Sequence, residues 1–104
     1  MERLFTYGTL QDEKVQLSLI GRTLEGEAAV LNGYTIHFNL MPPYPVAMPG
    51  ENDLIEGQVF EVTQDELQQL DIYEGECYLR ITVTLENGQE AWVYIGNPAC
   101  YPDI

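Results

Sequence analysis

The chain has 104 residues, which suits one hydrophobic core and leaves no room for a second, so residues 1–104 are read as a single domain. Hydrophobic residues make up 45% and charged residues only 20%, a balance that excludes a disordered chain. Four basic against seventeen acidic residues leave a formal net charge of −13, a field that repels phosphate backbones and anionic lipid, so no nucleic-acid or membrane partner is expected.

Met1-Glu2-Arg3 starts no signal peptide, and every apolar run is far shorter than the roughly 20 residues of a membrane helix, so a cytoplasmic protein is expected. Residues 3–8 (Arg-Leu-Phe-Thr-Tyr-Gly) alternate and end on glycine, which predicts a strand stopped by a turn. Residues 11–20, with Val15, Leu17, Leu19 and Ile20, predict a short, weakly amphipathic helix. Strands are predicted near 25–31 and 34–39, separated by Asn32-Gly33, because both of those residues tolerate positive φ. Residues 40–53 carry Pro42, Pro43, Pro45, Pro49 and Gly50 around Tyr44. They predict an irregular loop, a candidate pocket wall or lid.

Leu54 to Val62 reads as a strand. Thr63-Gln64-Asp65-Glu66 matches a capping box, with Thr63 as N-cap and Glu66 at N3, ahead of a helix to about Tyr73. Residues 78–86 and 90–96 alternate strongly about Asn87-Gly88, which predicts a hairpin with a two-residue loop. The expected class is α+β, with a mixed, mainly antiparallel sheet able to curl into a small barrel and short helices on its flank.

On the capped helix Leu67 and Leu70 should face the core, and at about 100° per residue the next position on that stripe is Glu74. A glutamate aimed inward must raise its pKa, meet a cation such as Arg80, or sit in a cavity. A cavity holding such a carboxyl is what general acid/base chemistry needs near neutral pH. The other reading ends the helix at Tyr73 and leaves Glu74-Gly75 as an exposed turn, with Gly75 as a left-handed cap.

Other features are less specific. Tyr7-Gly8-Thr9-Leu10 is a plain turn, or else a run of backbone N–H groups that can cradle an oxyanion. Arg80 shares a strand face with Tyr78, Thr82 and Thr84 and reads as a surface salt bridge or a substrate contact. Trp92 and Tyr94 should pack on or rim the sheet. His37 stands at no metal-ligand spacing from Cys77 or Cys100, so no metal site is expected; the histidine reads as structural and both cysteines as free thiols.

Taken in order, Tyr7-Gly8-Thr9-Leu10, Tyr44-Pro45, Glu56-Gly57-Gln58-Val59-Phe60-Glu61-Val62, Leu70-Asp71-Ile72-Tyr73-Glu74-Gly75 and Tyr78-Leu79-Arg80 resemble the gamma-glutamylcyclotransferase-like (AIG2-like) domains over nearly the whole chain. The resemblance implies a small mixed barrel in which the Tyr-Gly-Thr-Leu loop faces the glutamate across a pocket. It implies no cofactor, and conversion of a small gamma-glutamyl amino acid or gamma-glutamylamine into 5-oxoproline and a free amine.

Carried over by position, Glu74 would be the catalytic acid/base, Tyr7, Gly8, Thr9 and Leu10 would hold the glutamyl moiety, Tyr78 would line the site, and Tyr44 and Arg80 would contact substrate. Gln11, Asp12 and Glu13 stand where many relatives have basic and glycine residues, so Arg80 or Arg22 would have to help bind a carboxylate. Two other functions use the same pocket: binding a small metabolite without turnover, and a different amide-processing reaction.

Overall fold

The structure, a computed structural model, describes residues 1–101. Its elements are β1 (Glu2–Thr6), a 3-10 turn (Thr9–Gln11), α1 (Glu13–Ile20), β2 (Glu27–Met41), β3 (Tyr44–Val62), α2 (Gln64–Glu74), β4 (Tyr78–Thr84) and β5 (Glu90–Gly96). The strands form one sheet in the order β2-β3-β1-β5-β4, with β1 and β5 parallel and the other neighbours antiparallel. Just beyond β4, the Glu86 N–H donates to the Val30 carbonyl on β2 at 2.9 Å, so the outer strands approach one another and the sheet curls into a half-barrel. The mixed, mainly antiparallel α+β class expected from the sequence is the one observed.

Strand β1 is central and buried on both faces because side chains alternate across it. Phe5 points into the curl and packs with Leu31, Ala47, Ile55 and Val93. Leu4 points to the other side, where Leu10, Val62, Leu67 and Leu70 join the sheet to the helices. Each such side chain contributes roughly 1.5–3 kcal/mol through burial. The two cores together fix the end of β1, so the Tyr7-Gly8 turn leaves from the middle of the molecule.

Three local expectations are corrected. The strands predicted at 25–31 and 34–39 are one strand, β2, and both halves pair with β3. Gly33 does adopt positive φ (86°), but in a register break rather than a chain reversal. The reversal comes at Pro42-Pro43, so most of the predicted 40–53 loop belongs to β3. Pro45 and Pro49 are tolerated there because β1 pairs only with Gln58–Val62, leaving the first half of β3 with an edge where a missing N–H breaks no ladder.

The β4–β5 loop is one residue longer than expected: the Leu85 N–H donates to Gln89 at 2.8 Å and Gly88 N–H to Leu85 at 2.9 Å, with Gly88 at φ 88°. The cysteines are not free thiols; Cys77 and Cys100 form a disulfide with Cα atoms 5.5 Å apart. The β4–β5 pairing brings Asn97 N–H onto the Cys77 carbonyl at 2.9 Å, and a turn from Asn97 returns Cys100 to its partner. The 23-residue separation hides that proximity in the sequence.

Candidate functional site

A cleft of about 170 Å³ opens where β1 ends and α2 terminates. It is smaller than the roughly 300–1,000 Å³ of sites for drug-sized ligands, and fits a molecule nearer an amino acid derivative in size. One wall is formed by Gly8, Thr9 and Leu10. Glycine suits position 8, where a Cβ would lie 3.0 Å from the ring of Pro45 and crowd it. Thr9 and Leu10 open the 3-10 turn, so their N–H groups precede any acceptor within that turn.

Glu74 forms another part of the wall. It is the last residue of α2, on the stripe of Leu67 and Leu70, and Gly75 ends the helix at φ 76° with its N–H on the Asp71 carbonyl at 3.2 Å. The reading that ended the helix at Tyr73 is corrected: α2 runs through Glu74, Gly75 at ψ −167° is not a left-handed cap, and Glu74 turns into the cleft. Burial pushes its carboxyl up from 4.5 to about 7. Among the described residues the cleft lining contains no Lys, Arg or His to offset that charge.

The rest of the lining is rich in tyrosine. Tyr7 and Tyr78 reach the unpaired edge of β3: the Tyr7 hydroxyl accepts from Ala47 N–H at 3.1 Å, and the Tyr78 hydroxyl donates to the Pro45 carbonyl at 2.9 Å. These phenols replace the strand that β1 does not supply. Burial raises both above the usual phenol value, Tyr78 to about 12. Tyr44 stands at the mouth, 43% exposed.

Arg80 is not in the lining. Its guanidinium forks onto Asp71, with Nε 2.7 Å from Oδ1 and Nη2 3.0 Å from Oδ2, and its flat face lies 4.3 Å from the centre of the Trp92 ring. The expected substrate contact is corrected to an ion pair, because Asp71 sits on α2 directly across from β4. Arg22 is likewise occupied, by Glu66 at 2.7 Å. A substrate carboxylate in this cleft would therefore meet backbone N–H groups and phenols rather than a cation.

Sequence reasoning missed Tyr73 as a lining residue and placed Tyr94 only on the sheet. Tyr73 follows Ile72 on α2 and its hydroxyl lies 3.5 Å from Thr9 Oγ1 across the mouth. Tyr94 is one strand position from Val93 and so faces opposite to the inner core, toward the helices. That alternation was the available signal. Among the described residues no three His, Cys, Asp or Glu side chains converge on a possible metal position, and no helix is long and apolar enough to cross a membrane.

Residues 4–103 match the family described as "Gamma-glutamyl cyclotransferase, AIG2-like". The chain is 39% identical to AIG2-like protein A of Arabidopsis thaliana over 85 residues, covering 80% of this chain and 51% of that one. It spans 47% of AIG2-like protein C of the same plant at 38% identity and 77% coverage of its own length, so it has about half the length of these relatives. A solution structure of another Arabidopsis thaliana protein superposes with a TM-score of 0.80 at 33% identity, over 91% of this chain and 68% of that one. A structure named gamma-glutamyl cyclotransferase shares the fold, with a TM-score of 0.74 at 19% identity over 92% of this chain and 66% of the other. The half-barrel and its two helices are thus a known fold, and this chain belongs to the gamma-glutamyl cyclotransferase, AIG2-like family.

Proposed function

We propose that the chain is a cyclotransferase that converts a small gamma-glutamyl amino acid or gamma-glutamylamine into 5-oxoproline and a free amine, using Glu74 as general base and then general acid. The observation that carries this reading is a carboxyl raised to about 7 inside a small cleft, in the same lining as Gly8, Thr9 and Leu10. A carboxyl poised near neutrality serves proton transfer in both directions.

In the first step Glu74 accepts a proton from the substrate's α-ammonium, and the freed amine attacks its own γ-carbonyl carbon. The carbonyl π electrons move to oxygen, and N–H groups at Gly8, Thr9 and Leu10 are the donors available for that oxyanion. The ring nitrogen of the tetrahedral intermediate then sheds its second proton to solvent while Glu74 returns its own to the departing nitrogen; the C–N bond breaks, the carbonyl re-forms within a five-membered lactam, and the amine leaves. Nucleophile and electrophile share one molecule, so much of the acceleration comes from holding the chain curled. The snug tyrosine-lined walls suit that task, and Tyr44 would contact the departing group at the mouth.

The test is incubation of the protein with a panel of gamma-glutamyl peptides and amines, with 5-oxoproline followed by mass spectrometry. Release by the wild type and a loss of at least about a hundredfold in Glu74→Gln is the expected result, in line with removal of a general acid/base. Saturable binding without product, unchanged by Glu74→Gln, would instead identify a metabolite-binding domain.

A further inference from the structure

We propose that Asp71 is the positioning residue for Glu74, and that Arg80 and Tyr94 hold it in that role. The proposal rests on Glu74 being the working carboxylate. Asp71 precedes Glu74 by three positions on α2, close to one helical turn. Its carboxylate accepts three hydrogen bonds: Arg80 Nε at 2.7 Å, Arg80 Nη2 at 3.0 Å and the Tyr94 hydroxyl at 2.7 Å. Arg80 and Tyr94 are register partners on β4 and β5, so one side chain joins the end of α2 to two adjacent strands.

Among the described residues, the last turn of α2 has no other anchor of this kind. Leu70 is the last buried apolar residue; Ile72 is 84% exposed and Tyr73 42%. No basic residue stands in that turn to offset the helix dipole, and helix ends without such support fray readily. Glu74 lies in this turn, and hydration favours swinging a carboxylate outward. A fork of two parallel bonds fixes orientation as well as distance, which a single point charge does not. The fork is itself steadied from behind by Trp92, whose Nε1 donates to Glu2 at 3.2 Å.

This arrangement gives Arg80, which resembles a substrate-binding residue in sequence, a role one step removed from the chemistry. Among the described residues, the titratable groups sharing the cleft with Glu74 are Tyr7 at the end of β1, Tyr44 on β3, Tyr73 on α2, Tyr78 on β4 and Tyr94 on β5. Tyr101, beyond β5, lies close enough to act on Tyr7 and Tyr78. Asp71 lies behind Tyr94, its carboxyl lowered by the Arg80 bonds. With Tyr7, Tyr78 and Tyr94 all pushed upward, a titration near neutrality in this cleft reports Glu74.

The experiment is a carbon-13 carboxyl NMR titration of the substrate-free protein, with the Glu74 resonance assigned by its loss in Glu74→Gln. In Asp71→Asn and Arg80→Met the midpoint of Glu74 is expected to fall by at least about one pH unit toward the ordinary glutamate value, as the loosened turn admits water. Arg80→Lys, which keeps the charge without the fork, should fall between these and the wild type. A midpoint unchanged from wild type in folded Asp71→Asn or Arg80→Met overturns the proposal. If Asp71→Asn does not fold, Arg80→Lys carries the same comparison, and an unmoved midpoint there counts equally against it. The titration needs no substrate, so failure of the wild type to release 5-oxoproline would refute the cyclotransferase reading while leaving this comparison intact.

Discussion

The hydroxyl of Tyr7 donates to the main-chain carbonyl of Tyr94 at 2.6 Å while accepting from Ala47 N–H at 3.1 Å, so one phenol bridges β5 and the unpaired edge of β3. Its oxygen is thereby committed to the fold, and the ring alone is left to face the cleft. Tyr7→Phe strands a carbonyl and an N–H, which should lower stability by about 1–3 kcal/mol. In a domain of this size that is a drop in Tm of several degrees, readable by calorimetry. The proposed turnover should decline as well, because Gly8 follows directly and its wall would shift. A Tm equal to that of the wild type would mean that water substitutes freely for the phenol and that the bridge carries no stability.

Glu74 should make the protein more stable in mild acid than in mild base. Its carboxyl titrates near 7 in the native state and near 4.5 when unfolded. Between those values the native protein holds the proton that the unfolded chain has released, so stability is complete below 4.5 and declines as pH rises through 7. The displacement corresponds to at most about 3 kcal/mol. Glu74→Gln removes the titration, so its advantage over the wild type should grow from pH 4 to pH 8 and then level off. Urea melts at three pH values measure it, and a constant difference between the two proteins would show that the carboxylate is fully hydrated.

How far the sequence reveals this molecule depends on how local each determinant is. The capping box at Thr63 and Glu66 is read correctly because its partners stand three residues apart, and both of its bonds form, at 3.1 and 2.8 Å. Glu74 can be aimed inward for a similar reason, since helical period is a property of one segment. Asn32-Gly33 shows the boundary: positive φ at Gly33 is legible, but a bulge and a reversal both use it, and only the continued pairing with β3 decides between them. Pro45 and Pro49 argue against a strand until it is known that β1 stops at Thr6 and leaves that edge bare. The partner of Arg80 is the hardest case, because seventeen acids compete in the sequence and the crossing of α2 over β4 selects Asp71.

Arg22 and Glu66 give a pH dependence of opposite sign. Arg22 follows Gly21, the left-handed cap of α1, and its fork reaches Glu66 at 2.7 and 2.8 Å while Glu66 also caps α2 through Thr63 N–H. The hydrogen bonds from Arg22 hold the Glu66 carboxyl down at about 2. A lowered carboxyl contributes stability that is present above its ordinary value of 4.5 and is lost as pH falls through 2. Arg22 is 42% exposed, so solvent screens the pair and the usable contribution is about 1 kcal/mol rather than what the full displacement would imply. Arg22→Met, which keeps an apolar stem, should therefore be less stable than the wild type at pH 7 by about that amount, and the two should converge near pH 2. A gap that persists in acid would mean that Arg22 acts through packing of its stem between α1 and α2, and the charge would then have no part in joining the helices.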